Sequence, residues 1–375
     1  MKTGKSLMEL AAMIEDVKDN SKDYIVPTER LEMKIERQVV PVPDGEGYLP
    51  KPVLSFKNGE EKSFELNSWS GSQLATYSNI PKAYYDRIES ENAGLLALNV
   101  NHGLRVQAAD SSRNGKPESR MLRTHKGIVR GFVSSSYRRL DCYDLLMTAL
   151  PVVQENGFAL ISSELTDRRM YLQLTTPRIQ SVVKVGDVVQ YGLTISSSDV
   201  GSGSVRVEPL IYRLRCTNGM ILPSAIKKMH IGRDLAGDDI QELLSEETLN
   251  LTDQAFWNQV RDVIVATMNQ KYFDAQVEKL RIAAGEKIEN YNIPEVVELA
   301  SKAVGVTSKS LKDIVGAYLA NGADEAGLTK WGLANAFTFA ANHESVSYDD
   351  SVELMRTGSK IIDLDKTQWR RIAAA

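Results

Sequence analysis

Residues 121–150 constrain the fold of this chain most, because a strand pattern there passes through a tight serine-rich turn into a helix. Asp141 stands at the position that caps a helix N-terminus, and Asp144 lies in the first turn, where an acidic side chain favours the helix dipole. The helix then carries an apolar face that has to pack against another element. This stretch therefore predicts a helix packed on a sheet. The apolar face consists of Leu146, Ala149, Leu150 and Val153.

Basic residues gather around this junction, although the chain as a whole is acidic, with a net charge of −4 and a pI near 5.8. Between positions 105 and 139, nine basic residues stand against two acidic ones. Because the net charge of the chain does not favour contact with nucleic acid, any such binding has to be local. The junction predicts an anionic partner.

Binding of a single nucleic-acid strand needs cations for the phosphates and planar groups on which bases stack. Tyr137 follows the serine-rich turn and is the predicted stacking group, and Tyr171, Tyr191 and Tyr212 are further aromatic candidates. The alternative interpretation is a solvated charged face, which is common on globular proteins. The residues predicted to bind nucleic acid are Arg123, Lys126, Arg130, Tyr137, Arg138, Arg139, Arg206, Arg213, Arg215, Lys227 and Lys228.

The rest of the chain predicts an α+β fold with a central antiparallel sheet, one main packed helix and a C-terminal helical domain. Met170, Leu172 and Leu174 alternate with more polar residues, which is typical of a half-buried antiparallel strand. A hairpin is expected around a flexible tip at 196–204 (SSSDVGSGS). The expected regions are an extended and helical 1–104, a basic α+β core at 105–233 and a helical 234–375.

Motifs for catalysis and cofactor binding are missing from the sequence. It contains no GxxxxGK[ST] or GxGxxG loop for nucleotide phosphates and no GxSxG nucleophile turn. The four histidines are isolated and the two cysteines lie far apart, so neither a zinc site nor a disulfide framework is indicated. We therefore expect no catalytic residue, metal or cofactor. A weaker alternative is a nuclease that uses Glu164, Asp167 and Asp187.

Two further features bear on partners and location. Residues 296–319 have the outline of a helix-turn-helix with Gly305 in the turn, although a helical hairpin inside a bundle explains them better. The N-terminus is amphipathic and acidic rather than a signal peptide, and no apolar run reaches the length of a membrane span. We expect a cytoplasmic protein that does not contact a membrane.

Three segments of the chain form a recognisable series. The first runs from Arg123-Thr124 through Ser134, Tyr137 and Arg138 to Asp141, the second is LRCTNGM at 214–220, and the third is LTKWGLANAFTFAANHE at 328–344. In this order they resemble motifs of the phage- and plasmid-borne family that carries domain of unknown function 932, with Asn335 at the family's usual asparagine. The resemblance covers residues 69–369 and implies a mobile-element protein of bacterial cytoplasm, without supplying an activity. The order of elements is similar in outline to single-strand annealing proteins of the RecT, Redβ and Erf kind.

These observations lead to one expectation and one alternative. We expect a phage- or mobile-element-type protein that binds and anneals single-stranded DNA in recombination, without catalytic chemistry, and that forms homo-oligomers. The acidic segment 234–247 and the basic segment suggest a head-to-tail contact between copies. The alternative is an interaction protein that counters a host defence or restriction protein through Asp238, Asp239 and Glu242.

Overall fold

A computed structural model describes residues 2–42, 45–113, 117–223, 246–289, 292–320 and 327–374. It confirms the predicted α+β class, because helices surround two β-sheets and the C-terminal part is helical. The predicted central sheet is thus two sheets, each with its own helices. No helix among the described residues is long and apolar enough to cross a membrane.

The first sheet has six strands in the order β1-β5-β6-β4-β3-β2. Among these described strands β4 and β6 run parallel, and the other neighbours are antiparallel. The sheet takes strands from both sides of position 104/105, so the N-terminal segment and the start of the basic core share one sheet. Its strands are β1 (Ser21–Pro27), β2 (Glu32–Val42), β3 (Gly45–Asn58), β4 (Glu60–Leu66), β5 (Ser119–His125) and β6 (Ile128–Ser134).

Three helices pack on the first sheet and complete its core. They follow β4 in the chain, and the longest of them lies against β2 and β3. Leu96 on that helix packs with Leu54, Leu122 and Phe132 from the strands, and all four side chains are buried. The helices are α2 (Ser68–Tyr77), α3 (Lys82–Glu91) and α4 (Ala93–Arg113).

The second sheet is antiparallel throughout, in the order β11-β10-β9-β8-β7. Leu172 faces the core formed with the helix after the serine-rich turn, whereas Tyr171 faces a helix near the C-terminus. The prediction of a half-buried strand is therefore wrong, because helices cover both faces of the sheet. The alternating positions Tyr171 and Gln173, expected to face solvent, are buried too. The strands are β7 (Ala159–Leu165), β8 (Met170–Lys184), β9 (Asp187–Ser197), β10 (Arg206–Arg213) and β11 (Asn218–Ile221).

The predicted helix after the turn is α5 (Cys142–Glu155), and Asp141 is its N-cap residue as expected. Of the predicted apolar face, Leu146, Ala149 and Val153 are buried against the second sheet. An N-terminal helix, α1 (Leu7–Asn20), packs beside α5 and β7, although the strand that follows it belongs to the first sheet. The N-terminal segment therefore joins the two sheets.

The C-terminal part is helical, as predicted. The turn between α8 and α9 places Gly305 in the left-handed region with a φ of +83°, where glycine is favoured. Lys312, one of the cations of the helix-turn-helix interpretation, pairs with Glu298 of the preceding helix at 2.8 Å. The helices are α6 (Glu246–Thr267), α7 (Gln270–Gly285), α8 (Ile293–Val304), α9 (Lys309–Ala320), α10 (Lys330–Ala340), α11 (Tyr348–Ile362) and α12 (Lys366–Ala373).

Residues 198–204, here called the docking loop, connect β9 to β10 and contact the first sheet. The indole Nε1 of Trp69 and the amide Nε2 of Gln73 both donate to the carbonyl oxygen of Val200, at 2.9 and 2.8 Å. Val200 itself is buried. The prediction of a flexible tip is therefore wrong at this hairpin, since side chains of α2, which packs on the first sheet, hydrogen-bond to the loop.

Candidate nucleic-acid interface

Arg123 lies at the centre of the predicted basic junction and is buried, with 4% of its side chain exposed. Its Nε donates to Asp23 Oδ1 at 3.1 Å, and its Nη1 donates to Asp141 Oδ1 at 2.8 Å and to the carbonyl oxygen of Asp199 at 2.6 Å. Burial alone would lower the pKa of Arg123, but Asp141, Asp23 and Asp199 raise it overall. The prediction that Arg123 contacts phosphates is wrong, because its guanidinium is enclosed and already paired.

The other cations of the junction are paired as well. The Nη2 of Arg130 lies 2.9 Å from Asp199 Oδ2, and the Nε of Arg138 donates to Asp253 Oδ1 at 2.8 Å. Lys126 Nζ lies 2.6 Å from Asp16 Oδ2, and Arg139 Nε lies 3.5 Å from Asp23 Oδ2. The junction therefore carries aspartates as well as cations, and its net charge is small.

Tyr137, the predicted stacking residue, holds the docking loop. Its hydroxyl donates to the carbonyl oxygen of Ser198 at 3.1 Å and accepts from the amide of Gly201 at 3.2 Å. Burial raises the pKa of Tyr137 to about 12, so the hydroxyl stays protonated at neutral pH. Of the other aromatic candidates, Tyr171 and Tyr191 are buried and cannot stack on a base.

The prediction that Arg213 contacts phosphates is also wrong, because this residue, at the end of β10, is buried in the second sheet. Its Nε and Nη2 donate to the two carboxylate oxygens of Asp187 at 2.6 and 2.9 Å, and the indole of Trp331 donates to the same carboxylate at 3.0 Å. Arg215 is exposed in the turn after β10. Lys227 and Lys228 lie outside the described residues, as do Asp238, Asp239 and Glu242 of the alternative interpretation.

A different group of arginines lies on the other side of the docking loop. The guanidinium of Arg168 lies over the Trp69 ring, 4.8 Å from its centroid. Arg169 Nη2 donates to the carbonyl oxygen of Ser202 at 2.8 Å. Arg206 begins β10 and lies two strands from Tyr171, through the pairs Tyr171–Ser196 and Ser196–Arg206. We call Trp69, Arg168, Arg169 and Arg206 the arginine surface.

The arginine surface differs from the junction in how its cations are paired. Within the described ranges, no ion pair joins Arg168, Arg169 or Arg206 to an acidic side chain. Burial lowers the pKa of Arg169, and the nearby guanidinium groups of Arg206 and Arg356 lower it further, whereas Tyr171 and the carboxylate of Glu353 act in the opposite direction. Like charges in close proximity repel one another, so this cluster favours an anion.

Gly203 is required where Arg169 crosses the docking loop. A Cβ atom there would lie 1.7 Å from Arg169 Nη2, and the residue has a φ of +140°. The sequence signal for this arrangement was the Arg168-Arg169 pair just before β8 together with the glycines at 201 and 203. Of the members of the arginine surface, only Arg206 is among the residues that the sequence predicts to bind nucleic acid.

The nuclease interpretation receives no support from the structure. Asp187 is occupied by Arg213, and Glu164 Oε1 lies 3.2 Å from Lys5 Nζ. Among the described residues there is no group of three or more histidine, cysteine or acidic side chains placed to hold a metal ion.

Comparison with family models, with curated proteins and with solved structures gives no match for this chain. The resemblance drawn from the three sequence segments therefore stays a prediction. Two of these segments meet in the structure, because Asn218 Nδ2 lies 3.3 Å from Asn335 Oδ1 and 2.6 Å from Thr338 Oγ1. These contacts tie β11 to α10 in the interior and lie away from any exposed surface.

Proposed function

We propose that this protein binds single-stranded DNA on the arginine surface and anneals strands in recombination of a phage or mobile element. The observation that carries the proposal is a group of three guanidinium groups beside an indole ring, none of which forms an ion pair with a described acidic side chain. Guanidinium groups replace the counterions of phosphates, and an indole supplies a face on which a base stacks. No step of this activity requires the chain to make or break a covalent bond.

The contact between Arg168 and Trp69 indicates how a strand would engage. Arg168 is exposed and Trp69 is partly exposed, so the guanidinium covers a ring that a base can reach when the side chain moves. Arg169 is buried and held by Ser202, so it adds its charge from behind the surface and does not contact the strand itself. Arg206 supplies an exposed charge on the neighbouring strand.

Self-association is part of the proposal, through the outer edge of β2 in a second copy. β2 is the last strand of its sheet, and Ile35 and Val39 on it are exposed. The side chain of Asn101 closes this edge at Met33, since its Oδ1 accepts from the Met33 amide at 2.7 Å and its Nδ2 donates to the Met33 carbonyl at 2.9 Å, so a second copy would pair with the edge from Ile35 onward. Sedimentation velocity of the Ile35→Lys variant tests this: we expect a smaller species than for the Met8→Lys control, which also alters an exposed apolar side chain.

Fluorescence anisotropy with a labelled 40-nucleotide strand across a salt series tests the function. The matched variants are Arg168→Ala with Arg206→Ala and, as a control of equal charge, Arg370→Ala with Arg371→Ala on α12, which are exposed. Loss of two phosphate contacts should reduce the slope of log affinity against log salt by about 1.4. When the complementary strand is then added, duplex formation should be faster with the wild type or the control than with DNA alone.

An interaction protein that acts on a host defence factor is the second candidate. It is favoured by the acidic composition of 234–262, which holds eight acidic residues against one basic residue. Absence of strand binding at low salt, together with equal behaviour of the two double variants, would exclude the first candidate and direct work to protein partners.

A further inference from the structure

The outward face of α4 is apolar over most of its length. The helix packs on the first sheet through its buried residues, and the opposite side, which faces solvent, carries Leu95, Leu98 and Val106. Leu98 is the most exposed of these, at 69%. No aspartate, glutamate, lysine or arginine lies between Asn92 and Leu104. A surface helix ordinarily carries charged side chains on its outer face, so this face is typical of a contact with another protein chain.

The exposed residues of this face follow the spacing of a seam between two helices. They recur at intervals of three and four positions, which keeps them in one line along the helix. Single exposed leucines are common on proteins, whereas a line of apolar residues at this spacing is typical of a helix that packs against a second helix. We call this line the α4 ridge, and it consists of Leu95, Leu98, His102, Val106 and Ala109, all of them exposed.

The α4 ridge is symmetric about His102. Leu98 and Val106 lie four positions from it, one on each side, and Leu95 and Ala109 lie seven positions from it. A two-fold contact between identical helices that run in opposite directions places each residue opposite the one equally far from the centre. With His102 at the centre, the apolar residues of one copy therefore meet apolar residues of the other.

The two ends of the α4 ridge carry opposite charges. Glu91, the last residue of α3, immediately precedes the ridge, and Arg113 ends α4. In the antiparallel arrangement, Glu91 of each copy lies at the same end as Arg113 of the other. Both side chains are highly exposed, and their pairs within the chain, with Arg87 at 3.9 Å and Asp110 at 3.6 Å, are weak because they are exposed. The end charges are therefore available to a second copy.

We propose that the α4 ridge is a contact between two copies of this chain, with the two helices antiparallel and His102 of each copy at the two-fold axis. Burial of the apolar side chains supplies the attraction, and the end charges select the antiparallel direction. The contact uses other side chains than the β2 edge, toward which α4 directs Asn101. It shares no residue with the arginine surface, so it does not depend on strand binding.

Sedimentation velocity over a concentration series tests the proposal, with the Ile35→Lys variant as the parent in which pairing through the β2 edge is disabled. In this parent, Leu98→Lys should weaken self-association at least about tenfold, because the contact would then bury two charges without partners. The matched control is Ile282→Lys on α7, which alters an apolar helical side chain of similar exposure, 60%. The control should self-associate as the parent does.

Exchange of the end charges tests the direction of the two helices. Glu91→Arg alone and Arg113→Glu alone each bring like charges together at both ends, so each should weaken self-association about fivefold at low salt. The two changes combined restore opposite charges, and the affinity should return to within about twofold of the parent. Within one copy the two residues lie at opposite ends of a 21-residue helix, so this recovery has to arise between copies.

Cross-linking tests the position of the two-fold axis. His102→Cys with a short bismaleimide should give a covalent dimer above the background of the parent, whose own cysteines are Cys142 and Cys216. Ser112→Cys, exposed near the end of the same helix, should not.

The variant Arg168→Ala with Arg206→Ala should sediment as its parent does, so failure of the DNA proposal leaves this one standing. Three results would each overturn the proposal. They are equal sedimentation of Leu98→Lys and Ile282→Lys, a combined charge exchange that associates no better than the single changes, and a yield of cross-linked His102→Cys no greater than background.

Discussion

The basic junction and the arginine surface contain similar residues and lie on either side of the docking loop, yet their charges are used differently. At the junction, Arg123, Arg130 and Arg138 each pair with an aspartate. On the arginine surface, Arg168 and Arg206 form no ion pair with an acidic side chain of the described part of the chain. The comparison shows that the number of basic residues in a segment does not give its available positive charge. The neutralising residues come from elsewhere in the chain.

The largest expected effect concerns the junction as a stabilising network. Arg123→Ala leaves three acceptors without their donor in a buried place, so we expect it to lower the free energy of unfolding by about 3–5 kcal/mol. Urea denaturation followed by circular dichroism measures this. Arg206→Ala is the comparison, with an expected change within about 0.5 kcal/mol. A cost below about 1 kcal/mol for Arg123→Ala would show that the network contributes little to stability.

The next effect concerns the aromatic member of the arginine surface. Trp69→Ala should weaken strand binding by about 1–3 kcal/mol, the usual contribution of one stacked base. Trp69→Phe keeps an aromatic face and loses only the bond to Val200, so it should retain most of the affinity. Anisotropy titrations of both variants give the comparison. Equal losses in the two would mean that Trp69 acts by holding the docking loop rather than by stacking.

A smaller effect is expected from Tyr137 in alkaline solution. The pKa of its phenol is raised to about 12 by burial, above the ordinary value of 10.0, so the folded state keeps a proton that the unfolded state releases. Stability should therefore fall as the pH rises from 10 towards 12. Tyr137→Phe should cost about 1 kcal/mol at pH 7 and then show a shallower decline. Denaturation midpoints at pH 7, 10 and 11 measure the difference, and parallel declines would contradict it.

The smallest expected effect separates the two regions most directly. Arg138→Ala with Arg139→Ala removes as many charges as the double variant of the arginine surface, but from side chains that aspartates already neutralise. We expect strand affinity to change less than about twofold, since a paired cation releases few counterions. The same anisotropy series measures it. A loss as large as that of Arg168→Ala with Arg206→Ala would return the binding site to the junction.

Local features of the fold were predictable from the sequence, and distant pairings were not. Asp141 and the apolar face behind it gave the start and the buried side of α5, and Gly305 gave the turn between α8 and α9. The first sheet joins N-terminal strands to β5 and β6 through the pairs β1–β5 and β4–β6, which are distant in sequence and which local patterns do not encode. The same holds for charge, because the partners of Arg123 and Arg138 include Asp23 and Asp253.

The arginine surface was missed for a related reason. The sequence predicts Arg206 as one of several strand arginines that bind nucleic acid. No local pattern distinguishes it from Arg213, which is buried against Asp187. Arg213 is buried beside Trp331 of α10, whereas Arg206 at the other end of β10 is exposed. Trp69 lies on α2, 99 positions before Arg168, and only the packing of the two sheets brings them together.

The position of the N-terminal segment also sets the order in which the molecule forms during synthesis. The carbonyl of Lys5 accepts from the hydroxyl of Ser163, 158 positions later. In the same way, β1 cannot pair until β5 has been synthesised. At elongation rates of about 5–20 residues per second, the segment is exposed for about 8–30 s before Ser163 emerges from the ribosome. Leu10 and Ile14 of α1, buried in the finished protein, are open to solvent during that time. Nascent chains of this protein are thus candidates for chaperone binding at α1.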